Sequence, residues 1–154
     1  MQELKTETLW ILISDHLPDV SEAGTFVEHP ECGAVNIFTG LTRNHHDGKT
    51  VTGLYYDCYE EMALKEAQKL LDEITQKYKL SKAVLFHKTG DAPVGEISLI
   101  TALSAPHRKP VLDATDELIN RLKEELPIWK REEFEDETLW KEEQIIRKES
   151  KTAN

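Results

Sequence analysis

Leu64, Ala67, Leu71, Ile74 and Tyr78 recur at spacings of three, four, three and four, a pattern that lines one face of an α-helix and no face of a strand. The spacing predicts a helix opening at Glu60, and a helix with such a stripe needs an apolar surface to cover. β-favouring stretches at residues 8–14, 34–40, 51–59, 82–89 and 96–103 can supply that surface. A second helix is predicted from Pro110, with Val111, Ala114, Leu118 and Leu122 on its apolar face and Pro127 ending it. A shorter one follows Pro18-Asp19 towards Glu28. Residues 41–49 form a polar loop that, with its flanks, reads as a long hairpin, and residues 90–95 read as a Gly- and Pro-rich turn. The order β-α-β-β-α-β-β-α describes helices packed on a sheet, of mixed α/β or α+β type.

A chain of 154 residues is the size of one domain and buries roughly two-thirds of its unfolded surface. Residues 1–154 are therefore expected to form a single domain. The segment after Arg131 carries eight acidic and four basic residues, and its end, from about residue 146, is expected to fray. The longest apolar run, Leu9-Trp10-Ile11-Leu12-Ile13, is too short to span a bilayer and has no basic segment before it. Neither a membrane association nor an export signal is expected, and a cytoplasmic location follows.

With 19 Lys+Arg against 29 Asp+Glu, the net charge is −10, which disfavours a nucleic-acid partner because phosphate backbones need a basic face. Against that background two cationic islands stand out: Ser104-Ala105-Pro106-His107-Arg108-Lys109, and the stretch from Leu122-Lys123 to Leu126-Pro127-Ile128-Trp129-Lys130-Arg131. Arg43, beyond the strand that ends at Gly40, is a third cation delivered by a separate segment. Any one of these is ordinarily a solvated charge. Three segments converging at strand and helix ends would instead hold a small phosphorylated ligand, with N–H groups of the helix near Pro110 assisting. Lys123 and Lys130 adjoin apolar residues, and partial desolvation beside other cations would make an amine available as base or nucleophile. The competing reading is a lysine stem covering apolar surface.

Cys32 and Cys58 lack metal-ligand or CxxC spacing and read as small buried hydrophobes in a reducing compartment. His45 and His46 are adjacent, have no third ligand in view, and read as solvated loop residues. Glu60 and Glu61 suit the dipole at a helix start.

Taken in order, Cys32-Gly33-Ala34-Val35, Phe38-Thr39-Gly40-Leu41-Thr42-Arg43, Tyr59-Glu60-Glu61-Met62-Ala63, Phe86-His87-Lys88-Thr89-Gly90, Ser104-Ala105-Pro106-His107-Arg108, Leu126-Pro127-Ile128-Trp129-Lys130-Arg131-Glu132 and Trp140 resemble the large, catalytic subunit of molybdopterin synthase. The resemblance implies an α+β fold, α/β-hammerhead-like, whose mixed sheet with packed helices is joined by a small antiparallel sheet. It implies transfer of two sulfurs to a cyclic pyranopterin monophosphate, giving molybdopterin. The donor would be a small ubiquitin-like subunit with a C-terminal thiocarboxylate, and two large subunits would form the centre of a heterotetramer. Matched by motif, Leu41, Thr42, Arg43, His107, Arg108, Lys123, Lys130, Arg131 and Glu132 would bind substrate, with Lys123 and then Lys130 as catalytic groups. No metal or other cofactor is implied, because the thiocarboxylate already carries activated sulfur. Relatives can carry a basic residue four positions after Trp140 that reaches the neighbouring subunit's pocket; here that position is Gln144, with Lys141 and Arg147 as substitutes.

Two other readings use the same residues. A non-catalytic module would bind a ubiquitin-like partner or phosphorylated metabolite through the cationic pocket. A cysteine-dependent sulfurtransferase would require Cys32 or Cys58.

Overall fold

The computed structural model describes residues 1–135 and 137–144. Three strands without a single exposed residue, β2 (Leu9–Ser14), β6 (Lys82–Lys88) and β8 (Ile97–Ala105), form the middle of the larger sheet. Such near-continuous apolar runs are what strands covered on both faces require. The edges are β1 (Gln2–Lys5) and β3 (Ala34–Leu41), giving the order β1-β2-β6-β8-β3. β2 and β6 run parallel and the other neighbours antiparallel, so the sheet is mixed.

Two helices cover one face. In α2 (Glu60–Tyr78) the expected stripe is present, with Ala67, Leu71 and Ile74 fully buried; each large aliphatic side chain removed from water there contributes about 1.5–3 kcal/mol. α3 (Arg108–Glu125) lies beside it, burying Val111, Ala114, Leu118 and Leu122 in the same core as Ile11, Ile13, Leu85 and Leu103. The short α1 (Val20–Phe26), opened by a capping box between Asp19 and Glu22, covers the other face over Trp10, Val84, Phe86 and Ile100. Glu60 and Glu61 occupy the first turn of α2 as expected, and Lys79 closes it in the left-handed conformation, φ 54°.

The smaller sheet is antiparallel. It contains β4 (His45–His46), β5 (Lys49–Cys58), β9 (Ile128–Phe134) and β10 (Glu137–Gln144) in the order β10-β9-β5-β4, while β7 (Gly90–Pro93) also pairs with β5. The expected α+β arrangement, a mixed sheet with packed helices and a small antiparallel sheet, is the one found.

Three expectations are corrected. β3 does not form a hairpin with β5: it pairs with β8 from Ala34 to Leu41, and Thr42 prolongs that contact, its backbone N–H donating to Glu96 O and its carbonyl accepting from Gly95 N–H. The hairpin is the smaller one between β4 and β5, turned by Asp47 and Gly48 at φ 52° and 75°, the two positive values that a tight two-residue turn demands. The 90–95 turn holds a strand, β7, and beyond the last predicted helix, where no strand was expected, the second cationic island runs from the last turn of α3 into β9. β1 and β10, short or charge-rich, carry too weak an apolar pattern to be read from sequence. Fraying from residue 146 lies outside the described residues.

Candidate active site

The register of β3 against β8 decides which cations meet. Leu41 sits opposite Ile97 at one end and Ala34 opposite Ala105 at the other, seven residue steps or about 23 Å apart along the strand. Arg43 lies two residues past Leu41, and His107 two residues past Ala105. One chain therefore carries Arg43 and the His107-Arg108 pair to opposite ends of the sheet, and the convergence expected of the three cationic segments is only partial.

Lys123 and Lys130 go with Arg43. From Arg108, α3 runs back along β3 and β8, tied midway where Thr115 Oγ1 donates to Asn36 Oδ1 at 3.2 Å. Its 18 residues cover about 27 Å, which brings the last turn, with Lys123, back towards the Leu41–Ile97 end. The chain then passes through Leu126, Pro127 and Ile128, all buried, into β9. Lys130 stands opposite Tyr56 of β5, and the Tyr56 hydroxyl lies 3.4 Å from Ser98 Oγ at the start of β8. The two lysines thus flank a buried crossing between the sheets.

The expected desolvation holds for one of them only. Lys130 is half-buried, whereas Lys123 is exposed in the single chain, as are Arg43, His107 and Arg108. Lys123 occupies the last turn of α3, where the helix dipole favours a cation. Leu41 is 54% exposed, while Thr42 is buried with no hydrogen-bond partner for its Oγ1 among the described residues. His107 is the N-cap of α3 but makes no capping bond through its side chain. The turn before it fits closely against Gly33, where an added Cβ would lie 2.5 Å from Pro106 O.

Along β9 the side chains alternate. Ile128, Lys130, Glu132 and Phe134 share the covered face, and Trp129, Arg131 and Glu133 the other. Arg131 consequently points away from Lys130: its Nη2 is 3.2 Å from Asp57 Oδ2 and its guanidinium lies over the Tyr55 ring, 4.6 Å from the centroid. Glu132 is 3% exposed and both its oxygens lie 2.9 Å from His46 Nδ1. His46 is thus not a solvated loop residue; it belongs to β4 and its other nitrogen is 3.2 Å from Asp47 Oδ2. Nothing in the local sequence pairs His46 with a residue 86 positions away. Lys141 and Gln144 lie in β10 opposite Glu132 and Trp129, and Arg147 is outside the described residues.

Two buried groups and one half-buried thiol belong to the same region. His87 is wholly enclosed, and its Nδ1–H donates to Lys88 O at 2.8 Å. Burial pushes its pKa down to about 4, so the ring is neutral near pH 7. Lys88, 7% exposed, is paired with Glu96. Cys58 is half-buried beside Glu60, and burial first, the carboxylate second, pushes its thiol up to about 12. That is the reverse of an activated thiolate. Cys32 is half-buried and unpaired.

Known proteins match this chain over most of its length. A family model described as MoaE protein covers residues 13–125. The chain belongs to the MoaE family. It is 44% identical over 124 residues to the molybdopterin synthase catalytic subunit of Taeniopygia guttata, covering 80% of each chain. To that of Homo sapiens it is 41% identical over 122 residues, covering 79% of this chain and 65% of the human one. Among solved structures, molybdopterin synthase from Staphylococcus aureus superposes with a TM-score of 0.80 at 30% identity, over 90% of this chain and 98% of that one. A chain from the complex of subunits 1 and 2 of molybdopterin-converting factor from Helicobacter pylori shares the fold, with a TM-score of 0.62 at 23% identity over 84% and 86%. Membership in the MoaE family carries the catalytic role in molybdenum cofactor biosynthesis, that of a sulfur-transferring enzyme. No helix among the described residues is long and apolar enough to cross a membrane.

Proposed function

We propose that this chain is the catalytic subunit of a molybdopterin synthase, moving two sulfurs from the C-terminal thiocarboxylate of a small ubiquitin-like subunit to cyclic pyranopterin monophosphate. The observation that carries this reading is the delivery of Lys123 and Lys130, from two different elements, to the end of the sheet that also holds Arg43. The donor's thiocarboxylate sulfur attacks an oxygen-bearing side-chain carbon of the pterin; the C–S bond forms as that carbon's oxygen departs, as water or as the phosphate ester oxygen, and the two molecules are joined as a thioester. Water then adds to the thioester carbonyl, releasing a carboxylate on the donor and leaving sulfur on the pterin. Negative charge develops on that carbonyl oxygen, and fixed ammonium groups at Lys123 and Lys130 stabilise it. Arg43 holds the phosphate by paired N–H donors. Each sulfur requires a fresh donor subunit.

His107 and Arg108 enter the same reading through a second copy of the chain. β3 is an edge strand that exposes Val35, Ile37, Phe38 and Leu41, and an uncovered apolar edge invites pairing. Antiparallel pairing of two β3 edges about a twofold axis sets the Leu41 end of one copy beside the Ala34 end of the other. Arg43 of one subunit then faces His107 and Arg108 of its neighbour, which agrees with a central homodimer carrying one small subunit at each end. Residues 1–154 act as one large-subunit domain, and the two unpaired cysteines suit a reducing cytoplasm.

The test is reconstitution with a thiocarboxylated small subunit and the pterin precursor, followed by assay of the dithiolene product. Wild type and the Cys32→Ala/Cys58→Ala double variant are expected to form product, and Lys123→Ala to lose it almost entirely. Inactive wild type with a verified cognate donor overturns the enzymatic reading; normal turnover by Lys123→Ala overturns the lysine assignment.

A further inference from the structure

We propose that His46 is a positioning residue for Lys130, acting through the buried carboxylate of Glu132. This rests on the reading of Lys130 as a reacting group. β4 and β9 lie on opposite sides of β5, and the His46–Glu132 contact bridges across it. The carboxylate accepts from Nδ1–H with both oxygens at 2.9 Å. The Glu132 side chain is 4% exposed, and a carboxylate so enclosed is costly unless a donor or cation meets it. On β9 the nearest cationic neighbour on the same face is Lys130, two residues away. With His46 in place, Glu132 has a dedicated donor. Without it, the carboxylate is left to the cations set beside it, Lys141 opposite it on β10 and Lys130 two residues along β9, and any pull on the Lys130 ammonium moves it away from the reacting carbonyl, where a misplacement of an ångström is enough to slow the chemistry.

The local structure is suited to this task. His46 sits at the tip of the hairpin turned by Asp47 and Gly48, which fixes where its backbone leaves the sheet and aims Nδ1 across β5 at Glu132. Its Nε2 lies 3.2 Å from Asp47 Oδ2, a contact that is attractive for the imidazolium form of the ring.

The experiment compares His46→Ala, His46→Asn and His46→Gln in the reconstituted synthase, with kcat and KM for the pterin precursor measured per folded protein by circular dichroism. The Asn amide nitrogen occupies the place of Nδ1 and can donate to Glu132; the Gln amide reaches instead towards the place of Nε2. The expected result is a kcat lower by up to about a hundredfold in His46→Ala and His46→Gln, the scale of misplacing a group by an ångström, with KM nearly unchanged and His46→Asn close to wild type. A purely structural role lowers the melting temperature of all three variants without this order in kcat. Equal kcat in all three, while Lys130→Ala is inactive, overturns the role of His46 alone. Full activity in Lys130→Ala overturns the lysine reading and the His46 role with it. If His46→Ala does not fold, the comparison of His46→Asn with His46→Gln decides.

Discussion

Arg43 and His107 leave opposite ends of a single antiparallel strand pair, one beyond Leu41 and the other beyond Ala105. A ligand held by both residues, as proposed above, is shared between two subunits. Arg43→Ala and His107→Ala are then each inactive alone, yet complement each other when mixed. A heterodimer of the two carries one doubly damaged site and one intact site. With random reassociation half the dimers are mixed, so about a quarter of wild-type activity returns, as twofold symmetry dictates. Coexpression with two affinity tags, followed by product assay, measures it. No recovery in purified mixed dimers means that both residues serve a site within one chain, or different sites.

The proposed pairing of subunits through the β3 edge is open to a direct test. Val35 is 46% exposed on β3, and a lysine on a strand edge is a common guard against pairing. Val35→Lys is expected to convert the dimer to a folded monomer with unchanged far-ultraviolet dichroism and severely reduced turnover. Light scattering after gel filtration reads the mass. A Val35→Lys dimer with full activity places the subunit contact elsewhere.

The helices and the central strands were legible because their periodicities are strong: the α2 stripe and the continuous apolar runs of β2, β6 and β8 state their burial directly. The cationic segments were equally plain as local sequence. What could not be read was pairing over distance. The alternation around Gly40 is the same whether β3 pairs with β5 or with β8, and it is the long-range ladder from Ala34–Ala105 to Leu41–Ile97 that joins it to β8. That choice separates Arg43 from His107. In the same way His46 reads as loop until the β4–β5 hairpin carries it to Glu132, and Arg131 reads as a neighbour of Lys130 until strand alternation turns it to Asp57.

The thiol of Cys58 offers a check on the lysine chemistry. Its pKa is pushed up to about 12 by burial and by Glu60, so at pH 8 the thiolate is a minute fraction of the population. Alkylation by iodoacetamide in the folded protein is expected to be far slower at Cys58 than at a free cysteine in a peptide, and to reach the peptide rate in denaturant. Mass spectrometry of digests taken over time resolves Cys58 from Cys32. Rapid labelling of Cys58 in folded protein, with parallel loss of turnover, revives the cysteine-dependent reading.

His87 makes stability depend on acid in a defined window. Enclosure lowers its pKa from 6.5 to about 4, so between those values the unfolded chain binds a proton that the folded chain does not. Stability therefore rises with pH across this range: the contribution is fully present above the unfolded value and is lost as pH falls towards 4. At about 1.4 kcal/mol per pH unit of separation, the loss is on the order of 3 kcal/mol. Replacing the imidazole by a group that cannot titrate removes this slope while the remaining ionisable groups keep theirs. His87→Gln, whose amide stays polar beside Lys88 O, is expected to be less stable than wild type at pH 7.5, and the difference between the two to shrink by pH 4.5. Urea denaturation of both proteins at half-unit pH intervals supplies the comparison, and parallel curves across the window show that His87 is protonated in the fold.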